Sequence, residues 1–265
     1  MLNNQDFETL IYIKHDLYAE IRFNRPHRLN AVVEKFYREL LDALDLSESD
    51  SDVRVVLLTG EGRAFCVGAD MKEHGTGMRT LYQRRQYLQL GNDVCEKILR
   101  LKKPVVSAVN GYALGAGAEI AVSCDFVLMD KTAQIGFPEI SIGTCVGGGV
   151  TRSLPALVGM AKARQLIFTG TRIDGNEAER IGLVTEAVDG VALQQRAQSF
   201  VAELASKAPI SMALAKKLLN NASNLDIDAQ LQLELDAVYT CTTTADWQEG
   251  VDAFAEKRSP KFKGI

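Results

Sequence analysis

The chain has 265 residues, 46% of them hydrophobic, and a formal net charge of −4. That length supports one large domain, or a domain with an appendage, and enough apolar material for a substantial core. The charge excludes a global pull toward nucleic acid or a membrane surface, so an anionic ligand must be met by local basic residues. Phe7–Ile13 and Leu17–Phe23 read as strands around the polar turn Lys14-His15-Asp16, and Asn24-Arg25-Pro26 breaks the second. Val32–Leu46 has helical periodicity, with Phe36, Leu40, Leu41 and Leu44 on one face. Val53–Thr59 is a buried strand closed by Gly60, and Leu81–Leu101 is a long helix. Pro104–Val109 is a second buried strand that leads into the glycine-rich segment Gly111–Glu119, and Phe126–Met129 and Gln134–Gly136 are further short strands. From Val150 the chain turns helical, with Val191–Ser206, Ser211–Asn221, Ala229–Tyr239 and Trp247–Arg258 as the clearest segments. Strand–helix alternation followed by a helical tail predicts an α/β core over residues 1–200 and a helical C-terminal region over 201–265.

The cysteines, Cys66, Cys95, Cys124, Cys145 and Cys241, are scattered, odd in number and form no CxxC pair. Reduced thiols are expected, and a zinc site is not. His15, His27 and His74 lack ligand spacing, so no metal is expected. Met1 to Thr9 has no signal-peptide core and no apolar run approaches transmembrane length, which makes a cytoplasmic location, away from membranes, the expectation.

Two glutamates stand out. Glu119 lies among Ala118, Ile120, Ala121 and Val122, and Glu139 among Phe137, Pro138, Ile140 and Ile142. A carboxylate in apolar company is costly without a partner or a task. Either one alone could be a helix-start carboxylate held by the helix dipole. The pair, in glycine-rich flanks, favours a paired acid/base site. Gly111-x-x-x-Gly115-x-Gly117 also fits a dinucleotide-binding turn. It lies about 110 residues into the chain, whereas that fold uses its first strand–helix turn, and none of the seven tyrosines has a lysine four residues on. No Walker A lysine and no Gly-x-Ser-x-Gly elbow is present. The other use of such a turn is to present backbone N–H groups to an oxyanion, and Arg63–Asp70 after Val53–Thr59 is a second candidate donor loop.

Taken together, these residues resemble the crotonase (enoyl-CoA hydratase/isomerase) superfamily. The resemblance rests on Asn24-Arg25-Pro26 with Leu29-Asn30-Ala31 and on Ala64-Phe65-Cys66-Val67-Gly68-Ala69-Asp70-Met71-Lys72. It continues through Lys103-Pro104-Val105, Asn110-Gly111 to Glu119, Cys124-Asp125, Phe137-Pro138-Glu139, Gly143–Gly149, and Glu249-Gly250 with Phe254-x-Glu256-Lys257-Arg258. It implies a spiral of repeated ββα units with a helical C-terminal trimerisation region, assembled as a homotrimer or a hexamer, and an acyl-CoA thioester as ligand. No separate cofactor is implied, because CoA enters as part of the substrate. The oxyanion hole carries over to the backbone N–H groups of Cys66 and Ala116. Both glutamates of the hydratases are present, which implies hydration of trans-2-enoyl-CoA, with Glu139 as proton donor and Glu119 as water-orienting base. Enoyl-CoA isomerisation, a branched or cyclic substrate, and an acyl-CoA-binding protein without activity are the alternatives. Substrate or CoA contacts are expected from Arg25, Arg28, Ala64, Gly68, Ala69, Asp70, Met71, Lys72, Gly115 and Phe137, the two arginines facing the CoA phosphates. The loop His74–Met78 is expected to border the acyl pocket, Asp125 to be structural, and Lys261-Phe262-Lys263 to be a frayed tail.

Overall fold

The structure is a computed structural model and describes residues 7–74 and 79–265, so Gly75–Met78 of the expected pocket-border loop lie outside the described residues, as does the side chain of His74. Strands β1 (Leu10–Lys14) and β2 (Tyr18–Phe23) form an antiparallel pair, and helix α1 (Glu34–Ser49) follows. The chain then repeats one unit: a strand in a large sheet, a short strand in a small sheet, and a helix. The first such unit is β3 (Val55–Gly60), β4 (Ala64–Cys66), α2 (Met71–His74) and α3 (Leu81–Arg100). The second is β5 (Val105–Val109), β6 (Tyr112–Leu114) and α4 (Ala116–Ser123). The third is β7 (Phe126–Asp130), β8 (Gln134–Gly136), a 3-10 turn over Glu139–Ile142, and α5 (Val150–Thr169), which breaks at Gly159. Then come β9 (Ile173–Asp174), α6 (Gly175–Arg180), β10 (Glu186–Val188) and α7 (Gly190–Ala205), followed by α8 (Pro209–Asn221), α9 (Ile227–Thr242) and α10 (Ala245–Ala255).

The large sheet has the order β1-β2-β3-β5-β7-β10 and is parallel from β2 onward. Its central strands are covered on both faces, which is why Val55–Gly60 and Val105–Val109 read as continuous apolar runs and are buried throughout. One face packs on α1 and α3 through Phe36, Leu40, Leu44, Val94 and Ile98. The other packs on α7 through Leu193, Ala197, Val201 and Ala205. The cover of the sheet therefore reaches Ala205. The small sheet, β4-β6-β8-β9, is parallel except at β9.

Several sequence-based expectations need correction. The glycine segment contains a strand of its own, β6, before α4 begins at Ala116. β4, β9, β10 and α6 have no clear sequence signal, being two to six residues long. The last helix stops at Ala255, with Lys257 left-handed. The C-terminal tail is not frayed. Lys261 N–H donates to Glu249, and Lys263 and Gly264 N–H donate to the buried Asp246 at 2.6 and 2.8 Å. Arg54 Nη2 donates to the Phe262 carbonyl, tying the tail back to β3.

Candidate active site

Strands β4, β6 and β8 lie side by side and parallel, with Cys66 opposite Ala113 and Leu114 opposite Gly136. Three successive repeats therefore release the chain at one edge of the small sheet: Val67–Asp70 after β4, Gly115 and α4 after β6, and Phe137–Glu139 after β8. The first intrahelical bond of α4 runs from Glu119 N–H to the Gly115 carbonyl at 2.9 Å. The N–H groups of Ala116, Gly117 and Ala118 thus have no acceptor within the helix and carry its positive end. Gly117 lets α4 lie against β4, because a side chain there would run into the Cys66 carbonyl. Gly115, at φ +56°, is where the three repeats meet. A methyl on it would come 3.1 Å from Glu139 Oε1 and 3.8 Å from the Gly68 Cα.

Both glutamates are buried, Glu119 at 9% exposure and Glu139 at 7%. Glu119 Oε1 accepts a 2.6 Å hydrogen bond from Gly147 N–H, at the end of the loop before α5. Burial pushes its carboxyl up to about 7. The Gly147 bond opposes the rise, and the nearby Glu139 charge adds to it. Burial also raises Glu139, with its own backbone N–H acting in the other direction. Glu139 Oε2 is buried without a hydrogen-bond partner among the described residues. One carboxylate is thus held by the protein and the other presents an unsatisfied oxygen, an arrangement able to bind and polarise a small polar molecule between them. The thiol of Cys66 is pushed up to about 12 by burial, as is that of Cys95, so neither is a nucleophile at neutral pH.

The structure gathers some expected site residues and assigns others to support. Cys66, Gly68, Gly115, Ala116, Glu119 and Glu139 converge. Ala64 is fully buried, and its carbonyl accepts from Asn30 Nδ2 at 2.7 Å. Asn30 Nδ2 also donates to the Glu61 carbonyl, and Asn30 Oδ1 accepts from Arg25 N–H, so this left-handed residue ties the 24–30 loop to β4. Ala69 bridges to Val32, and Asp70 N–H donates to the Val32 carbonyl. Arg25 and Arg28 both point at Asp70, at 3.2 and 3.5 Å, and Arg25 also donates to the Ala31 carbonyl. Arg25 is therefore a brace between two loops, whereas the Arg28 side chain keeps 34% exposure. Met71 and Lys72 are exposed on α2. Phe137 is fully buried in the main core. Asp125 Oδ2 accepts from Val105 N–H at 2.7 Å and pairs with the buried Lys216 at 2.6 Å, a structural role as expected.

Residues 15–265 match the enoyl-CoA hydratase/isomerase family. The chain belongs to that family. A short-chain-enoyl-CoA hydratase of Clostridium acetobutylicum is 39% identical over 261 residues, 98% of each chain. A crotonyl-CoA hydratase of Syntrophomonas wolfei is 36% identical over 259 residues, 97% of this chain and 98% of the other. The crystal structure of an enoyl-CoA hydratase from Bacillus anthracis aligns with a TM-score of 0.93 at 34% identity, covering 97% of this chain and 100% of that one. The resemblance drawn from the motifs is thereby borne out, and with it the spiral of ββα units. In this enoyl-CoA hydratase/isomerase family member, the site residue that sequence reasoning left unassigned is Gly147. Its only signal is the run Gly147-Gly148-Gly149, which marks a close backbone approach without saying to what.

Proposed function

We propose that the chain is an enoyl-CoA hydratase that adds water across the double bond of a trans-2-enoyl-CoA to give the 3-hydroxyacyl-CoA. The observation that carries this is the pairing of two buried, raised carboxyls with the start of α4. The thioester oxygen would accept from Cys66 and Ala116 N–H, which disperse the negative charge that grows on it as the β-carbon is attacked. The water sits between Glu119 and Glu139. Ionised Glu119, steadied by Gly147 N–H, takes a proton as the hydroxyl bonds to the β-carbon. Neutral Glu139 gives its proton to the α-carbon. The product has gained H and OH, and one proton passing from Glu119 to Glu139 restores the site. The carboxylate held by the Gly147 donor suits the base, and the one with the unsatisfied Oε2 suits the acid. No step requires a separate cofactor.

The relatives named as short-chain-enoyl-CoA and crotonyl-CoA hydratases support a short acyl chain. Exposed Leu231, Leu235, Val238, Tyr239 and Phe254 on α9 and α10 support assembly of the helical tail with further copies, as a trimer or hexamer. No helix among the described residues is long and apolar enough to cross a membrane, and a cytoplasmic location is part of the same reading. The deciding experiment is the loss of enoyl absorbance from crotonyl-CoA. Binding of crotonyl-CoA with the absorbance unchanged would end the hydratase reading.

A further inference from the structure

The loop that precedes α5 directs two consecutive N–H groups away from its own backbone. Gly147 N–H goes to Glu119 on α4, and Gly148 N–H goes to Asn92 Oδ1 on α3 at 2.9 Å. Glycines are the most mobile backbone units, so a triple-glycine loop has little intrinsic preference for the geometry that aims Gly147 at the carboxylate. The loop is fixed before this stretch by Thr144 N–H on the Glu139 carbonyl at 3.0 Å, and after it by Val150 N–H on the Gly147 carbonyl at 3.0 Å. Between these points the only side chains that hold it are Glu119 and Asn92 among the described residues. The space is tight, since a side chain on Gly148 would strike Cys95 Sγ at 2.7 Å and Glu119 Cβ at 3.1 Å. Asn92 is exposed, on the wall of a cavity of about 940 Å³ that Gly148 and Gly149 also line. Its Oδ1 is the acceptor for the N–H of Gly148, which is itself buried, so the side chain holds the loop by one of its enclosed backbone groups.

We propose that Asn92 is a positioning residue for hydration: by holding Gly148 it keeps the Gly147 N–H on Glu119 Oε1 and so fixes the base. This rests on the hydratase reading for the role of Glu119, but the hold itself is measurable without turnover. The ionisable groups that act on or are acted on by Glu119 are Glu139, Cys66 and Cys95, with Tyr37 from α1, and none of them is altered by a change at Asn92.

The test compares wild type, Asn92→Ala and Asn92→Asp. In Asn92→Ala, amide exchange at Gly147 and Gly148 should quicken. The plateau kcat for crotonyl-CoA, taken at the top of its pH profile, should fall by about two- to twelve-fold, the range that one neutral hydrogen bond spans. KM should stay within about two-fold. The acid limb of the pH–kcat profile should move upward, because Glu119 loses the donor that favours its anion. Asn92→Asp keeps the acceptor and should restore the plateau kcat and the slow exchange, while its added charge leaves the acid limb displaced upward. Unchanged amide exchange in Asn92→Ala would overturn the hold. Faster exchange with an unchanged plateau and acid limb would overturn the positioning role. A wild type with slow exchange but no hydration would instead refute the hydratase reading, and the role of Asn92 in hydration with it.

Discussion

Replacing Glu119 by Gln should cost activity and raise stability at the same time. The folded protein holds the Glu119 proton to about pH 7, whereas an exposed glutamate releases it near 4.5. Between those values the native state binds the extra proton, so stability falls as pH rises through the window and is fully present only below 4.5. At about 1.4 kcal/mol per pH unit, the whole penalty is about 3 kcal/mol, of which about 2.5 kcal/mol develops between pH 5 and pH 8. Gln has no charge to desolvate and can still accept from Gly147 N–H, which lies 2.6 Å from Oε1. The melting temperature of Glu119→Gln relative to wild type should therefore rise by about 5–10 °C between pH 5 and pH 8. Calorimetry or circular dichroism at one fixed protein concentration reads this directly. A difference that is constant with pH, or a wild type that gains on the variant toward pH 8, would refute the view that burial raises this carboxyl.

Further outcomes follow from the same geometry. Because the base must be ionised, hydration should fall as pH drops through about 7, read from initial rates at saturating crotonyl-CoA. Glu139→Gln should reduce turnover by roughly 10²–10⁴-fold while leaving acyl-CoA affinity within a few-fold, as checked by calorimetric titration. Gly117→Ala should push β4 off α4 by its clash with the Cys66 carbonyl. Turnover should drop by roughly 10²–10³-fold with the circular dichroism spectrum retained. Lys216→Met strands Asp125 and leaves the Ile98 and Lys103 carbonyls without their donor. A loss of about 3 kcal/mol in urea unfolding is expected, and adding Asp125→Asn should recover most of it.

The sequence made the large sheet legible because its central strands are buried on both faces and read as unbroken apolar runs, as in Val55–Gly60. α1 showed itself by its buried stripe of Phe36, Leu40 and Leu44. α4 was signalled only by the glycine turn that opens it, because all but its first residue are buried and no polar face remains to set a period. Of the three-residue strands of the small sheet, Gln134–Gly136 reads as a strand, whereas β4 and β6 are too short for alternation to register, yet together they align the edge that carries the candidate site. Glu119 and Glu139 were visible as carboxylates in apolar company. The turning of Arg25 onto Asp70 was not, since a basic loop looks alike whether its partner is a phosphate or an aspartate some 45 residues away.

The three parallel strands that end at one edge have a consequence for how this scaffold changes. On the proposed reading each repeat contributes one separable part at an equivalent place: a main-chain donor at the end of β4, a donor and a carboxylate on α4 after β6, and a carboxylate after β8. Exchanging a single side chain at Glu119 or Glu139 leaves the other two contributions and the strand ladder intact. On the same reading, new reactivity can therefore be acquired by editing one rung, with the grip on the thioester inherited because it is made by peptide N–H groups that every residue except proline supplies.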